Sequence, residues 1–245
     1  MDFANNKFRE MKIRFFKGGF YDPFPIMGEH YTIVTKEHTP QLIAPLYADM
    51  LFIAKRWRGM SVFYNGATCG ASAPDHAHLQ AVPSKYLPLL GQKWMKKVIG
   101  CATVVDGCVG DGILFSDSYV VPLFVIKSSD GQRMESLLGR LLAALPVKDG
   151  ADEPAVNIIT AYKESEGWTT IVIPRGKHRP DCYFAEDSCR RIISPGALDM
   201  AGVIIAARRE DFDSITADDA ASMLNEVALP VSVCREVVEK LSCRE

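Results

Sequence analysis

Two histidines and a glutamine alternate with apolar residues in the stretch His76-Ala77-His78-Leu79-Gln80. If this stretch is a β-strand, successive side chains alternate between its faces, so His76, His78 and Gln80 project to one side. An imidazole is a competent nucleophile when one ring nitrogen is free and the other is held as a hydrogen-bond donor. The spacing therefore predicts that His78 attacks phosphorus, while Gln80 donates a hydrogen bond to a phosphoryl oxygen.

The residues that precede the histidines predict a phosphate-binding loop. Gly66, Gly70 and Ala71 leave backbone amides accessible, and Ser72 adds a hydroxyl. We therefore predict Ser72 as a catalytic residue beside the histidine stretch. The substrate-binding residues predicted near it are Asn65, Gly66, Gly70, Ala71, Asp75 and Lys85.

A second candidate cluster is basic and follows the predicted strand 168–174. It consists of Arg175, Lys177, His178 and Arg179, and it suits contact with an acceptor phosphate or a sugar phosphate. A solvated loop is the alternative, since that is the usual fate of a short charge run. Both interpretations stay open at this point.

The histidine pair also has interpretations that involve no nucleophile. A His-x-His pair alone is often structural, and two histidines on one face ligate zinc when a third ligand comes close. Asp75, His38 and Cys69 are the candidates for that third ligand. Nucleophilic attack by histidine demands no metal, so we predict no metal site, and we interpret His30 and His38 as structural.

Strands and helices that can position these residues alternate along the chain. The strands are predicted at residues 31–34, 61–64, 76–82, 119–127, 156–162, 168–174 and 201–207, and the helices at 45–57, 134–145, 216–227 and 233–241. The second half roughly repeats the first without its histidine pair. Because helices are too few for a doubly wound parallel sheet, we predict an α+β fold with mainly antiparallel strands and helices packed on one face.

Composition limits the ligands and the location. The 245 residues carry a net charge of −2, which gives no global electrostatic reason to bind a nucleic acid polymer or an anionic membrane. A small ligand is therefore favoured. Residues 1–17 mix charges without the apolar centre of a signal peptide, and no apolar run reaches bilayer length, so we expect a cytoplasmic protein without membrane contact. Oligomeric state is left open.

A longer pattern joins these residues to a known superfamily. It combines Tyr64-Asn65-Gly66, Gly70-Ala71-Ser72 and His76-Ala77-His78-Leu79-Gln80-Ala81-Val82. The pattern resembles the histidine-triad (HIT-like) superfamily in its His-φ-His-φ-Gln-φ-φ branch, where φ is apolar. That branch contains galactose-1-phosphate uridylyltransferase, diadenosine tetraphosphate phosphorylase and the GDP-hexose phosphorylases. The hydrolase branch usually carries a third histidine at the position of Gln80, so the resemblance implies a transferase.

Other segments extend the resemblance over most of the chain. Asp22-Pro23-Phe24-Pro25-Ile26 looks like the family's Asn-Pro-Phe-Pro segment, with aspartate in place of the usual asparagine. Residues 31–41 look like the strand that follows it, including a His-x-Pro-Gln ending, and residues 174–180 and 194–202 look most like the GDP-hexose phosphorylases.

The resemblance implies a fold and a mechanism. Two HIT-like halves would form one extended, mainly antiparallel sheet with flanking helices, residues 1–118 carrying the motif and residues 119–245 lacking it. His78 would form a covalent nucleotidyl intermediate, His76 and Gln80 would orient it and hold the phosphate, and Ser72 would bind a phosphate oxygen. The donor would be a sugar nucleotide or a dinucleoside polyphosphate, the acceptor phosphate or a sugar phosphate, and no cofactor would be required.

Two other functions stay open beside this one. A nucleotide hydrolase would use water as the acceptor, although Gln80 argues against it. A nucleotide-binding protein without activity is suggested by Asp22 and by the short region that precedes it, because relatives usually carry more chain there.

Overall fold

The computed structural model describes residues 11–17, 26–186 and 189–243. The strands are β1 (Met11–Lys17), β2 (Glu29–Thr35), β3 (Met60–Asn65), β4 (His78–Pro83), β5 (Thr103–Cys108), β6 (Asp111–Ser116), β7 (Leu123–Ser128), β8 (Val156–Lys163) and β9 (Gly167–Pro174). The helices are α1 (Ile43–Arg56), α2 (Gln92–Gly100), α3 (Gly131–Ala144), α4 (Ala197–Met200), α5 (Arg209–Ser214), α6 (Ala217–Val227) and α7 (Val231–Ser242).

The strands form one antiparallel sheet in the order β1-β2-β4-β3-β8-β9-β7-β6-β5. The succession β1-β2-α1-β3-β4 takes the spatial order 1-2-4-3, and β6-β7-α3-β8-β9 repeats it as 6-7-9-8. The two repeats meet where β3 pairs with β8. The topology therefore confirms the two pseudo-repeated halves, and β5 adds an edge strand beyond the second.

The predicted division between residues 118 and 119 falls between β6 and β7. These strands are hydrogen-bonded neighbours in the second repeat, with Phe115 opposite Phe124. The division into two halves at that point stays a prediction.

Helices cover both faces of the sheet, so the prediction of one covered face is wrong. One apolar cluster joins the inner faces of α1, α3 and α7 to the sheet, and a second joins α2, α4 and α6 to the opposite face. The physical reason lies in the central strands, which are apolar on both sides. All six residues of β7 are buried, for example, so each face of that strand needs a cover.

Most predicted elements are present, but the predicted strand 201–207 is wrong. The chain turns at Ala201 and then runs without a strand partner through residue 206. Its amides bond instead to the preceding segment: Val203 donates to the carbonyl of Leu198 at 2.9 Å, and Ile205 donates to the carboxylate of Asp199 at 2.8 Å. Its apolar composition reflects packing against the second cluster, which β-propensity alone does not distinguish from a strand.

No helix in the described ranges is long and apolar enough to cross a membrane.

We predict that the apolar face under α1 dominates the stability of the first repeat. Val62 on β3 is completely buried, whereas Val104 on the edge strand β5 is 45% exposed. Val62→Ala should lower the free energy of unfolding by roughly 2 kcal/mol because it deletes two packed methyl groups. Val104→Ala, the matched control, should change it by less than about 0.5 kcal/mol. Urea unfolding measures both, and equal losses would contradict the assignment of the core.

Candidate active site

A cavity of about 910 Å³ opens between strands β2 to β4 and the segment 194–207, on the sheet face that carries α4. That volume lies within the range of small-molecule sites. Its polar lining residues are His30, Thr32, Asn65, Gly70, Ser72, Gln80, Ser194, Gly196 and Asp199. Its apolar lining residues are Ile26, Val34, Phe63, Ala197, Leu198, Val203, Ile204, Ile205, Ala206, Ala207 and Phe212.

His78 begins strand β4 on the cavity side of the sheet. Val34, opposite His78 on β2, and Gln80, two residues along on the same face, both line the cavity. His78 is only 4% exposed and, like His76, is not itself among the residues that line the cavity. Its Nδ1 lies 2.8 Å from the backbone carbonyl of His76, and since a carbonyl only accepts, Nδ1 must donate. The neutral ring therefore carries its lone pair on Nε2.

The Nε2 atom of His78 has no hydrogen-bond partner. Among the described residues it is the one buried side-chain nitrogen or oxygen left in this condition. Leaving a buried polar atom unpaired costs about 1–3 kcal/mol, and folded proteins rarely do it. The imidazole is thus held in the tautomer that leaves a lone pair on Nε2 without a hydrogen-bond partner among the described residues.

His76 does not share a strand with His78, so the predicted strand over residues 76–82 is wrong at its start. The chain is still in a turn at His76, and its Nε2 donates to the carbonyl of Thr35 at 2.9 Å. Its ring packs against His38 with the centroids 4.1 Å apart. The group that His76 brings to His78 is therefore its backbone carbonyl. His76 is not among the residues that line the cavity.

Two side-chain amides present hydrogen-bond donors at the cavity. The Oδ1 atom of Asn65 accepts from the Ala197 amide at 2.7 Å and from Asn157 Nδ2 at 2.8 Å, which leaves its own Nδ2 without an acceptor among the described residues. The Oε1 atom of Gln80 accepts from His30 Nε2 at 2.6 Å, and its Nε2 likewise has no acceptor in the described part of the chain. Both NH2 groups are thus available to a ligand.

The loop between β3 and β4 contributes only part of the predicted cradle. Gly70 and Ser72 line the cavity, whereas the Gly66 amide donates to the carbonyl of Val156 at 3.1 Å and the Ala71 amide lies 3.4 Å from the carbonyl of Gly66. Asp75 is exposed and does not line the cavity. The structure therefore brings Gly70 and Ser72 to the site and turns the Gly66 amide away from it.

Gly70 is required at its position for two reasons. Its φ angle is +108°, in the region that side chains disfavour, and a Cβ there would lie 2.9 Å from the Cα of Gly196. The loop between β3 and β4 and the segment 194–197 therefore pack backbone against backbone where both line the cavity.

Gln41 is a positioning residue whose role the sequence analysis did not predict. Its buried side-chain amide donates from Nε2 to the carbonyls of Asn65 at 2.9 Å and His78 at 3.0 Å, and its Oε1 accepts from the His78 amide at 2.7 Å. The ladder between β3 and β4 ends at the pair Phe63 and Gln80. Gln41 therefore replaces the next ladder bonds and sets the separation of the two strands beside His78.

Arg175, which the sequence analysis placed among the possible phosphate ligands, does not line the cavity. Its hydrogen bonds to neighbouring groups explain why. The side chain is 3% exposed. It donates to Asn157 Oδ1 at 2.6 Å and to the backbone carbonyls of Pro195, Lys177, His178 and Val227 at 2.8, 3.1, 2.9 and 3.2 Å. A guanidinium has five N–H donors, and all five are used. Arg175 instead supports Asn157, which in turn fixes Asn65.

The other predicted basic residues lie outside the cavity lining. Lys177 forms ion pairs with Asp181 and Glu226. Arg179 reaches the rim, where its Nε donates to Ser194 Oγ at 2.9 Å. The pKa of His178 is lowered by partial burial and by the neighbouring cations, Arg179 first among them.

Lys85 lies beyond the far end of β4 from His78, and its ammonium stacks on Tyr86. Six residues separate it from His78, five of them in the extended strand β4, which spans roughly 17 Å. The structure therefore does not bring Lys85 to the site.

The sequence analysis also missed the wall of the cavity that the second half supplies. Ser194, Gly196, Asp199 and residues 203–207 face β2 to β4 across the cavity. The available signal was the resemblance of residues 194–202 to the family, which gave no role to single residues. Residues 22–25, whose Asp-Pro-Phe-Pro sequence supports the same resemblance, lie outside the described residues.

Asp199 holds this wall in place through its buried carboxylate. It accepts hydrogen bonds from the amides of Gly196 at 2.9 Å and Ile205 at 2.8 Å. Burial raises the pKa of this carboxyl to about 6, although the two amide hydrogen bonds and the charge of Arg175 act in the opposite direction.

Within the described residues, no three histidine, cysteine or acidic side chains converge as metal ligands would. Of the candidates for a third ligand, Cys69 donates from its thiol to the carbonyl of Val156 at 3.2 Å, and His38 packs against His76.

The fold occurs in known enzymes, which supports the architecture alone. Yeast Ap4A phosphorylase Apa2, known from a crystal structure, is 20% identical in sequence to this chain. The superposition covers 92% of this chain and 74% of the Apa2 chain, with a TM-score of 0.58. The structure of the same protein in complex with AMP is 19% identical, with coverages of 90% and 74% and a TM-score of 0.59. This likeness confirms the predicted α+β fold with an extended antiparallel sheet.

The sequence comparisons add less. A family model described as a domain of unknown function, DUF4922, matches residues 6–83, a range that includes the histidine stretch. No curated protein matches the sequence.

We predict that Arg175 determines stability and makes no direct contact with substrate phosphate. Arg175→Lys keeps the charge but cannot satisfy five acceptors in the same plane, so the free energy of unfolding should fall by roughly 3 kcal/mol. Arg58→Lys is the matched control, because the Arg58 side chain is 70% exposed beside Glu164, and it should leave the unfolding midpoint unchanged. An Arg175→Lys protein as stable as the wild type would contradict the assignment.

We predict that the Asp199 carboxyl makes stability depend on pH between about pH 4 and pH 6. Its pKa is about 6 in the folded chain, against about 4 when unfolded. The folded state thus binds the proton more tightly, so this contribution is present below pH 4 and lost as the pH rises through 6. The free energy of unfolding of the wild type, minus that of Asp199→Asn, should fall by about 2 kcal/mol from pH 4 to pH 7.

Subtracting the variant removes the titrations that the two proteins share, such as that of Asp211, whose pKa is lowered by Arg208. A difference that stays constant across this range would contradict the prediction. The Asp199 carboxyl resonance, followed by NMR in the wild type, gives the folded pKa independently of the variant's stability.

Proposed function

We propose that this protein is a nucleotidyltransferase of the phosphorylase type that acts through a covalent nucleotidyl intermediate on His78. The observation that carries the proposal is the pair of contacts at the His78 ring. Nδ1 donates to the carbonyl of His76, and Nε2 is a buried lone pair without a partner. This is the arrangement that an imidazole needs to attack phosphorus without first losing a proton.

In the first step, Nε2 of His78 forms a bond to the α-phosphorus of a nucleotide-containing donor. The bond from that phosphorus to its bridging oxygen breaks, and the remainder of the donor leaves with the electron pair. No proton is transferred from the ring, so His78 becomes a positively charged phosphorylated imidazolium. Its Nδ1–H bond to the His76 carbonyl, 2.8 Å long, strengthens as that charge develops.

In the second step, an oxygen of inorganic phosphate or of a sugar phosphate forms a bond to the same phosphorus. The bond from phosphorus to Nε2 breaks, and its electrons return to the ring as the lone pair. The NH2 groups of Asn65 and Gln80 and the backbone at Gly70 and Ser72 supply donors for the phosphoryl oxygens in both steps. Gln80 favours this acceptor over water, since it offers no acid or base to activate a water molecule.

Two further observations support a nucleotide as the donor. The cavity has an apolar side, which includes Phe63, Leu198 and Ile204, and such surfaces suit a nucleobase. The yeast Ap4A phosphorylase that shares the fold has been crystallised in complex with AMP. A sugar nucleotide or a dinucleoside polyphosphate fits this requirement.

The decisive experiment is detection of the intermediate. We expect incubation with diadenosine tetraphosphate or with a panel of sugar nucleotides, in the absence of phosphate, to add one nucleoside monophosphate to the wild-type chain. The adduct should be labile in acid, as phosphoramidates are, and it should map to His78. His78→Asn should form none, while His38→Asn, which alters an exposed histidine that does not contact the His78 ring nitrogens, should retain it.

Addition of inorganic phosphate should then release a nucleoside diphosphate and restore the free enzyme. Undiminished turnover by His78→Asn would refute the mechanism. Product formation without any dependence on phosphate would identify a hydrolase instead, and AMP binding without turnover of any donor would identify an inactive nucleotide-binding protein.

A further inference from the structure

We propose that His30 is a positioning residue that holds the side-chain amide of Gln80 with its NH2 group toward the transferred phosphoryl group. The proposal rests on the proposed function. His30 Nε2 lies 2.6 Å from Gln80 Oε1, a short distance for a hydrogen bond between a ring nitrogen and an amide oxygen. His30, Gln80 and Phe63 all line the cavity.

The direction of this hydrogen bond follows from the chemistry of the two atoms. An amide oxygen has no hydrogen, so Nε2 of His30 donates and Oε1 of Gln80 accepts. The other end of the amide must then point away from His30. Its NH2 group has no acceptor among the described residues, and Gln80 lies two residues from His78 on the same face of β4.

The geometry of the sheet fixes His30 as firmly as it fixes Gln80. Thr32 is opposite Gln80 in the pairing of β2 with β4, and Phe63 is opposite Gln80 in the pairing of β3 with β4. The His30 ring stacks on Phe63 with the centroids 5.9 Å apart and the planes 24° apart. Side chains from three adjacent strands therefore meet around the Gln80 amide.

The orientation of the Gln80 amide decides whether it helps or opposes the reaction. With NH2 toward the phosphoryl group, the amide donates to an oxygen whose negative charge increases in the transition state. With the amide reversed, its oxygen would face that same negative charge and repel it. A glutamine with a free terminal torsion populates both orientations, because rotation about that bond is weakly restricted. His30 removes the unproductive orientation.

Two substitutions separate the hydrogen bond of His30 from its packing. His30→Phe keeps an aromatic ring against Phe63 but removes the donor, whereas His30→Gln keeps a donor of similar reach but removes the ring. Single-turnover formation of the His78 adduct from diadenosine tetraphosphate should be roughly tenfold slower in His30→Phe, the effect of one lost hydrogen bond of about 1.4 kcal/mol. The donor concentration at half-maximal rate should change by less than about twofold, and His30→Gln should recover most of the rate.

The decisive control is the same substitution in a Gln80→Ala background. If His30 acts through Gln80, His30→Phe should slow the doubly substituted protein no further than Gln80→Ala alone. An equal tenfold loss in both backgrounds would overturn the proposal and assign His30 a role in packing.

An NMR measurement on the ligand-free protein separates failure of this inference from failure of the proposed function. The His30 Nε2–H resonance should be observable and protected from exchange in the wild type, and it should be lost in Gln80→Ala. Absence of any His78 adduct together with this pattern would refute the enzymatic function while retaining the amide orientation. An Nε2–H signal that is indifferent to Gln80→Ala would overturn the inference itself.

Discussion

The arrangement of the site depends on the hydrogen bonds that the side-chain amide of Gln41 makes to strands β3 and β4. The Gln41 side chain donates to the carbonyls of Asn65 and His78 and accepts from the amide of His78. The backbone carbonyl of Gln41 accepts from the Tyr64 hydroxyl at 2.9 Å. A side chain that replaces ladder bonds keeps β3 and β4 apart without leaving buried backbone groups unpaired. The loop 66–77 lies in the space between the separated strands. It includes the turn at His76, whose carbonyl accepts a hydrogen bond from the His78 ring.

The second repeat contributes to the site although it has no histidine pair. Its counterpart of the loop 66–77 is a three-residue turn between β8 and β9, too short to form a phosphate loop. The second repeat instead supplies Asn157 on β8 and Arg175 after β9, which fix Asn65 and the carbonyl of Cys69 from behind. One repeat thus carries the histidine stretch, and the other provides rigid support for the side chains around it.

The sequence predicts well what depends on local periodicity and poorly what depends on the separation of strands. Apolar spacing predicts helix α1 and the strands β2, β3, β8 and β9. Alternation along β4 predicts that His78 and Gln80 lie on the same side of the sheet. The position of His76 does not, because Gln41 enters from 37 residues away and delays the start of the strand. The burial of Arg175 is not predicted for a related reason. A charge run in sequence does not reveal that one member donates to four backbone carbonyls and a side-chain amide.

The cavity lining itself explains why positioning matters so much here. The described residues that form it include no lysine or arginine, and the nearest cation named here, Arg179, is bonded to Ser194 at the rim. Within the lining, the groups that could balance the charge of a phosphoryl group are the dipoles of Asn65, Gln80 and the backbone at Gly70 and Ser72. Dipoles stabilise a transition state only when they are already oriented, because turning them during the reaction costs the energy they would supply. For the proposed reaction at His78 Nε2, this requirement accounts for the extent of buried hydrogen bonding behind the site.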